Sequence, residues 1–200
     1  VATDPVMDID GDGHSEVILS LFNDASDGRW HLAFLDALTG HIKVDFPDEQ
    51  FAARMDLDGD GESELLTTCT RGVSTLKKIR ARTMKGSKPS IIWEKENAEW
   101  ETWNLPLPRH VKSMAALGKE TVLSRSDSKY TYILIRETGS PTETKLSLVR
   151  CDGSTFKTVT TITGENLDGL GFDSTGQLLV RSRHRFGRQL PVPAGPAADR

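Results

Sequence analysis

An acidic segment occurs twice in this chain, and that recurrence limits the fold more than any other feature. Met7-Asp8-Ile9-Asp10-Gly11-Asp12-Gly13-His14-Ser15-Glu16-Val17 returns 48 residues later as Met55-Asp56-Leu57-Asp58-Gly59-Asp60-Gly61-Glu62-Ser63-Glu64-Leu65. A fixed offset means copies of one structural unit, in which neighbours bury the apolar face that a single copy leaves open. Carboxylates stand at positions 1, 3, 5 and 9 of each copy: Asp8, Asp10, Asp12 and Glu16, then Asp56, Asp58, Asp60 and Glu64. Four carboxylates this close repel one another and open the loop, unless a cation sits among them.

The donor chemistry selects the cation. Hard carboxylate oxygens suit calcium, which takes six to eight oxygen ligands in uneven geometry. Magnesium demands a stricter octahedron and holds its waters, and softer metals ask for Cys or His. Two calcium sites are therefore predicted. Gly11, Gly13, Gly59 and Gly61 separate the ligands, because a short loop wrapped round an ion needs backbone angles that a side chain resists. Position 7 is His14 in one copy and Glu62 in the other. Indifference to that side chain assigns position 7 a backbone carbonyl ligand and makes His14 a surface residue.

An EF-hand would place a bidentate Glu at position 12 and flank the loop with helices. Position 12 is Leu19 in the first copy and Thr67 in the second, each inside a β-prone run, 17–19 and 65–68. The loop therefore leads into a strand. An Asp-x-Asp-Gly-Asp-Gly-x-x-Glu loop followed by a strand resembles the calcium loops of FG-GAP and VCBS repeats, the blades of integrin-alpha-like β-propellers. The match holds residue for residue in both copies and covers about the first third of the chain. The resemblance implies that each loop joins two strands of a blade and binds calcium. It also implies a partner that is a protein, a glycan or a matrix component.

The rest of the chain reads as an all-β repeat fold, with short runs of Val, Ile, Leu, Thr and aromatics broken by Gly, Asp, Ser and Pro. Strands are predicted over 17–22, 30–36, 42–46 and 51–55, with a hairpin turn at Thr39-Gly40. The second unit continues through 65–69, 73–82 and 91–94, and 97–108 reads as an irregular crossing. A third unit without an acidic loop takes 111–117, 121–124, 130–136, 145–150 and 155–162. A fourth starts at 167–172, and its degenerate loop, Asp173-Ser174-Thr175-Gly176, precedes 177–181 and binds no ion. The units fall at 1–50, 51–108, 109–163 and a partial 164–186, forming one repeat domain over 1–186. Residues 187–200 form a Pro-rich tail expected to be disordered. About four units of roughly 50 residues suit a β-propeller or part of one. An open β-solenoid or a sandwich stays open as an alternative.

Bulk properties narrow the function. The net charge is −4, and the loop carboxylates account for it, which argues against nucleic-acid binding. No apolar run approaches the roughly 20 residues of a membrane span, so direct membrane insertion is not expected. Cys69 and Cys151 form no metal-type spacing and read as free thiols. Calcium loops of this kind fill at extracellular calcium levels, which points to an extracellular or cell-envelope location.

Other features carry less. Leu35-Asp36-Ala37-Leu38-Thr39-Gly40 resembles the Asp-Ala-x-Thr-Gly hairpin of quinone-type propeller blades, and it reads as a hairpin turn without a quinone. Trp93, Trp100 and Trp103 read as packing between sheets. Arg181, Arg183, His184, Arg185 and Arg188 read as a solvated basic cluster. No Gly-x-Ser-x-Gly, His-Glu-x-x-His or phosphate-cradling loop is present, and no catalytic residue is assigned. The reading is a calcium-binding β-propeller module for protein, glycan or matrix binding or scaffolding, within a larger surface or envelope protein. The alternative is a lyase or hydrolase with its site at a channel mouth.

Overall fold

The computed structural model describes residues 6–85, 89–102, 122–126, 130–138, 143–152 and 155–182. The expected strand 111–117, Trp103, the basic residues from Arg183 onward and the tail 187–200 lie outside them. The described residues form antiparallel β-sheets without helix. They divide between two compact units.

The first unit holds two four-stranded sheets. Sheet one runs β1 (Val6–Met7), β2 (Glu16–Phe22), β3 (Trp30–Asp36), β4 (Ile42–Pro47) in chain order. Sheet two repeats this with β5 (Glu49–Met55), β6 (Glu64–Arg71), β7 (Ser74–Thr83) and β8 (Ser90–Glu96). The acidic loop joins the first two strands in each, between Met7 and Glu16 and between Met55 and Glu64, where those flanking residues pair across the ladder. The two sheets share one core. Ile18, Leu32 and Phe34 of sheet one meet Leu65 of sheet two and Met84, with Val44, Phe46 and Phe51 packed around them. Alternation on the strands produces this, since residues two apart share a face.

The second unit holds the remaining sheets. β9 (Ala98–Trp100) and β10 (Ser124–Ser126) both pair with β11 (Thr131–Thr138), which continues through β12 (Thr144–Asp152) to β13 (Thr155–Gly164). β14 (Leu167–Phe172) and β15 (Leu178–Ser182) make a two-stranded sheet. Leu123, Leu134 and Leu146 pack against Leu167, Leu178 and Val180. The third sheet thus begins at Ala98, inside the segment read from sequence as an irregular crossing. Trp100 is buried there.

Among the described residues, three that are not glycine have positive φ, and each sits immediately before the first strand of a sheet: Asp48 (62°), Asn97 (55°) and Asn166 (47°). Asp and Asn tolerate this left-handed conformation better than other side chains. These corners mark where one sheet ends and the next begins, independently of the acidic loops.

Beside the first corner a carboxylate is buried among cations. Glu49 is 1% exposed. It accepts hydrogen bonds from Arg82 Nη2 at 2.6 Å, Arg82 Nε at 3.1 Å, Arg80 Nη1 at 2.6 Å and Thr67 Oγ1 at 2.7 Å. Burial raises a carboxyl pKa, but here the Arg82 and Thr67 hydrogen bonds outweigh it and hold Glu49 low. Arg82 also lies over the Phe46 ring, 4.3 Å from its centroid. Glu101 of the second unit has a like setting, 2% exposed and bonded to Arg136 and the Gly169 N–H. Removing one partner of such a group strands the others. Glu49→Ala is expected to lower unfolding free energy by about 3 kcal/mol, measured by urea denaturation. A loss below about 1 kcal/mol would show the group to be no more than a surface pair.

Candidate metal centre

Each acidic loop is shaped by its own carboxylates. In the first, Asp8 accepts from Gly11 N at 2.7 Å and from Gly13 N at 2.9 Å. Asp10 accepts from Asp12 N at 3.3 Å and Asp12 from His14 N at 2.8 Å. The second loop repeats the pattern, with Gly61 N donating to Asp56 at 2.9 Å and Glu62 N to Asp60 at 2.9 Å. Gly11 and Gly13 take φ of 76° and 86°, and Gly59 and Gly61 take 79° and 90°. A side chain at these positions would be strained, which explains the glycine spacing.

Winding the loops this way brings two carboxylate triads together. Asp8, Asp10 and Glu16 each offer an oxygen within 4.8 Å of the others, and so do Asp56, Asp58 and Glu64. Either triad could hold a metal ion. Their floors are Glu16 and Glu64, 0% and 1% exposed, while Asp10 and Asp58 are more accessible. Glu16 enters through the first residue of β2, and its Oε2 accepts from Ile9 N at 3.0 Å. A buried carboxylate needs a positive partner or several donors, and position 9 is where the strand begins and the core starts.

Of the residues predicted as ligands, the structure gathers positions 1, 3 and 9 of each loop and leaves the others outside these triads. Asp12 binds Lys43 Nζ at 2.6 Å, and Asp60 pairs with Lys85. His14 and Glu62 are exposed. Their side chains take no part in the triads.

Lys43 was not foreseen in the sequence. Its ammonium also reaches Glu16 Oε1 at 2.7 Å and Asp10 Oδ2 at 3.4 Å. The hydrogen bond to Asp12, then that to Glu16, holds the lysine well above its ordinary pKa. Lys43 in turn is the main cause of the lowered pKa of Asp12. Each loop therefore has a lysine from its own sheet: Lys43 near the start of β4, and Lys85 in the connection between β7 and β8. The pairing of β3 with β4 carries Lys43 to the loop end of the sheet.

The turn Asp173–Gly176 satisfies its acid internally. Asp173 Oδ1 accepts from Thr175 N at 2.8 Å, Thr175 Oγ1 at 2.7 Å and Gln177 N at 2.9 Å, and these bonds lower its pKa. An open groove of about 560 Å³ adjoins this turn, lined by Arg125, Ser124, Ser126, Phe172 and Asp173 among others. No histidine lines it among the described residues, and Arg125 donates to the Gly176 carbonyl. Cys69 and Cys151 are buried and form no disulfide. Burial pushes the Cys69 thiol up to about 11, which keeps it out of nucleophilic chemistry at neutral pH.

On sheet one, His31 bridges two acids. Nδ1 lies 2.9 Å from Asp45 Oδ1 and Nε2 lies 2.9 Å from Asp27 Oδ2. Carboxylates only accept, so both ring nitrogens must donate and the ring is an imidazolium. Asp45 first and Asp27 second raise its pKa above the ordinary 6.5. The resulting stabilisation is complete below the unfolded value and disappears as pH rises through the folded one. The melting-temperature gap between wild type and His31→Gln is therefore expected to be wider near about pH 6 than near about pH 9. A gap that widens with rising pH would contradict the bridge.

No family model, curated protein or solved structure matches this chain.

Proposed function

We propose that the chain is a calcium-binding β-propeller module, built from FG-GAP-like repeats and serving protein, glycan or matrix binding or scaffolding at a cell surface or envelope. One observation carries the cation reading: carboxylates at positions 1, 3 and 9 converge in both copies of the loop. Convergence of three acids on one point costs electrostatic energy, and two independent loops sustain it with the same glycine-dependent backbone. Calcium is preferred because all the converging donors are carboxylate oxygens and the exposed side leaves room for carbonyl and water ligands. The repeated four-stranded sheets, stacked face to face through a shared core in the first unit, support the propeller reading. In this reading calcium clamps the link between the first two strands of a sheet and stabilises the folded chain by mass action.

The lysines qualify the affinity. Lys43 already supplies one positive charge to the first loop, so a divalent ion must compete with it.

Calorimetric titration is expected to show two calcium sites, one abolished by Asp10→Ala and the other by Asp58→Ala. Chelation is expected to lower the melting temperature of the wild type. Flat heats together with melting that ignores chelator would reject the calcium reading. Lys43→Met is expected to tighten the first site by about tenfold, since the competing ammonium is removed. Unchanged or weaker binding in that variant would show that the lysine does not compete.

A further inference from the structure

Position 7 differs between the two acidic loops, His14 in the first and Glu62 in the second. Neither side chain joins the triad of its own loop. Glu62 nevertheless has a definite place. Its backbone N–H donates to Asp60 at 2.9 Å and so belongs to the second loop. Its carboxylate stands against the first: a β-carbon at Gly11 would lie 3.9 Å from Glu62 Oε2. Gly11 separates Asp10 from Asp12, and its own N–H donates to Asp8 at 2.7 Å. The second loop therefore rests a carboxylate on the backbone around which the acids of the first loop gather. Gly11 and Glu62 lie in the same compact unit. The reach runs one way, since nothing stands within 4 Å of the same position at Gly59 or Gly61.

This placement is costly by itself. The first loop carries Asp8, Asp10, Asp12 and Glu16, with Lys43 reaching three of them. A further carboxylate beside them adds repulsion. Glu62 is exposed, so its charge is screened by water but not cancelled by burial against a partner. The same repulsion becomes attraction once a divalent ion occupies the loop, because charges of one sign gathered at a site deepen its potential for the opposite sign.

We propose that Glu62 sets the affinity of the first cation site from the neighbouring loop. Its backbone is anchored in the second loop, and its negative charge acts on an ion held by Asp8, Asp10 and Glu16. This rests on the calcium reading of the loops. It gives position 7 of the second copy two tasks, a carbonyl for its own loop and a carboxylate for the loop before it.

The test is calorimetric calcium titration of the full chain at low ionic strength, in an Asp58→Ala background where the first loop is the site read. Glu62→Gln should weaken binding by about fivefold, and Glu62→Lys by more. In about 0.5 M KCl the difference should shrink below about twofold, because a charge acting through solvent is screened. In chelator Glu62→Gln should melt no lower than its parent, since repulsion is relieved. His14→Gln in an Asp10→Ala background should leave the second site unchanged. Should Asp58→Ala lose cooperative melting, the Gly11 and Gly13 amide resonances report first-loop occupancy with both loops intact, and the same order of affinities is expected there. Calcium binding that ignores both Glu62 variants would overturn the proposal and leave the calcium reading standing. A loss undiminished by salt, or lower melting in chelator, would make Glu62 a structural residue and overturn it too. Absence of calcium heats in the wild-type chain would reject the calcium reading and the proposal with it.

Discussion

Repulsion among loop carboxylates is the constraint around which this structure is organised. Each nine-residue loop concentrates negative charge where the chain must pass from one strand to the next. The fold answers in layers. Backbone amides of glycines fix the first aspartate, the buried glutamate is anchored by the start of the strand, and a lysine from the same sheet approaches the mouth. An oxygen-seeking divalent ion would complete that sequence of compensations. The turn at Asp173 shows the alternative outcome: one acid and neighbouring donors close the loop by hydrogen bonding alone.

The same economy recurs in the cores. Glu49, held by Arg80 and Arg82 at the start of β5, and Glu101, held by Arg136 just after β9, are buried acids near the first strand of a sheet. Such groups add little net stability over an apolar replacement, but they penalise any register that separates them. With the left-handed corners at Asp48, Asn97 and Asn166, they pin where each sheet begins. A one-residue slip in β5 would turn Glu49 away from Arg80 and Arg82 and expose the apolar face of the strand.

Much of this was legible in the sequence. The Asp and Gly spacing located both loops, and β-prone runs located most strands, with 167–172 matching β14 end for end. The acids at positions 1, 3 and 9 were legible because their spacing is local. Three things were not. Lys43 meets the loop from about 30 residues away, through strand pairing that no local pattern encodes. Asp12 and Asp60 share the spacing of ligands, yet the structure gives them to lysines. The strand Ala98–Trp100 is too short for an alternation signal, and its best marker was Asn97, which repeats the corner role of Asp48. Nor did the alternation along 17–21 show that Leu19 and Leu21 would be partly exposed, since exposure depends on what stacks against the sheet and not on the strand itself.

Crystals grown with millimolar calcium offer the most direct test of the central claim. Density for an ion is predicted at the meeting point of Asp8, Asp10 and Glu16, with the Lys43 ammonium displaced from Glu16, and a second ion among Asp56, Asp58 and Glu64. Lysine ammonium still bonded to Glu16, with no ion in either loop at that concentration, would contradict it.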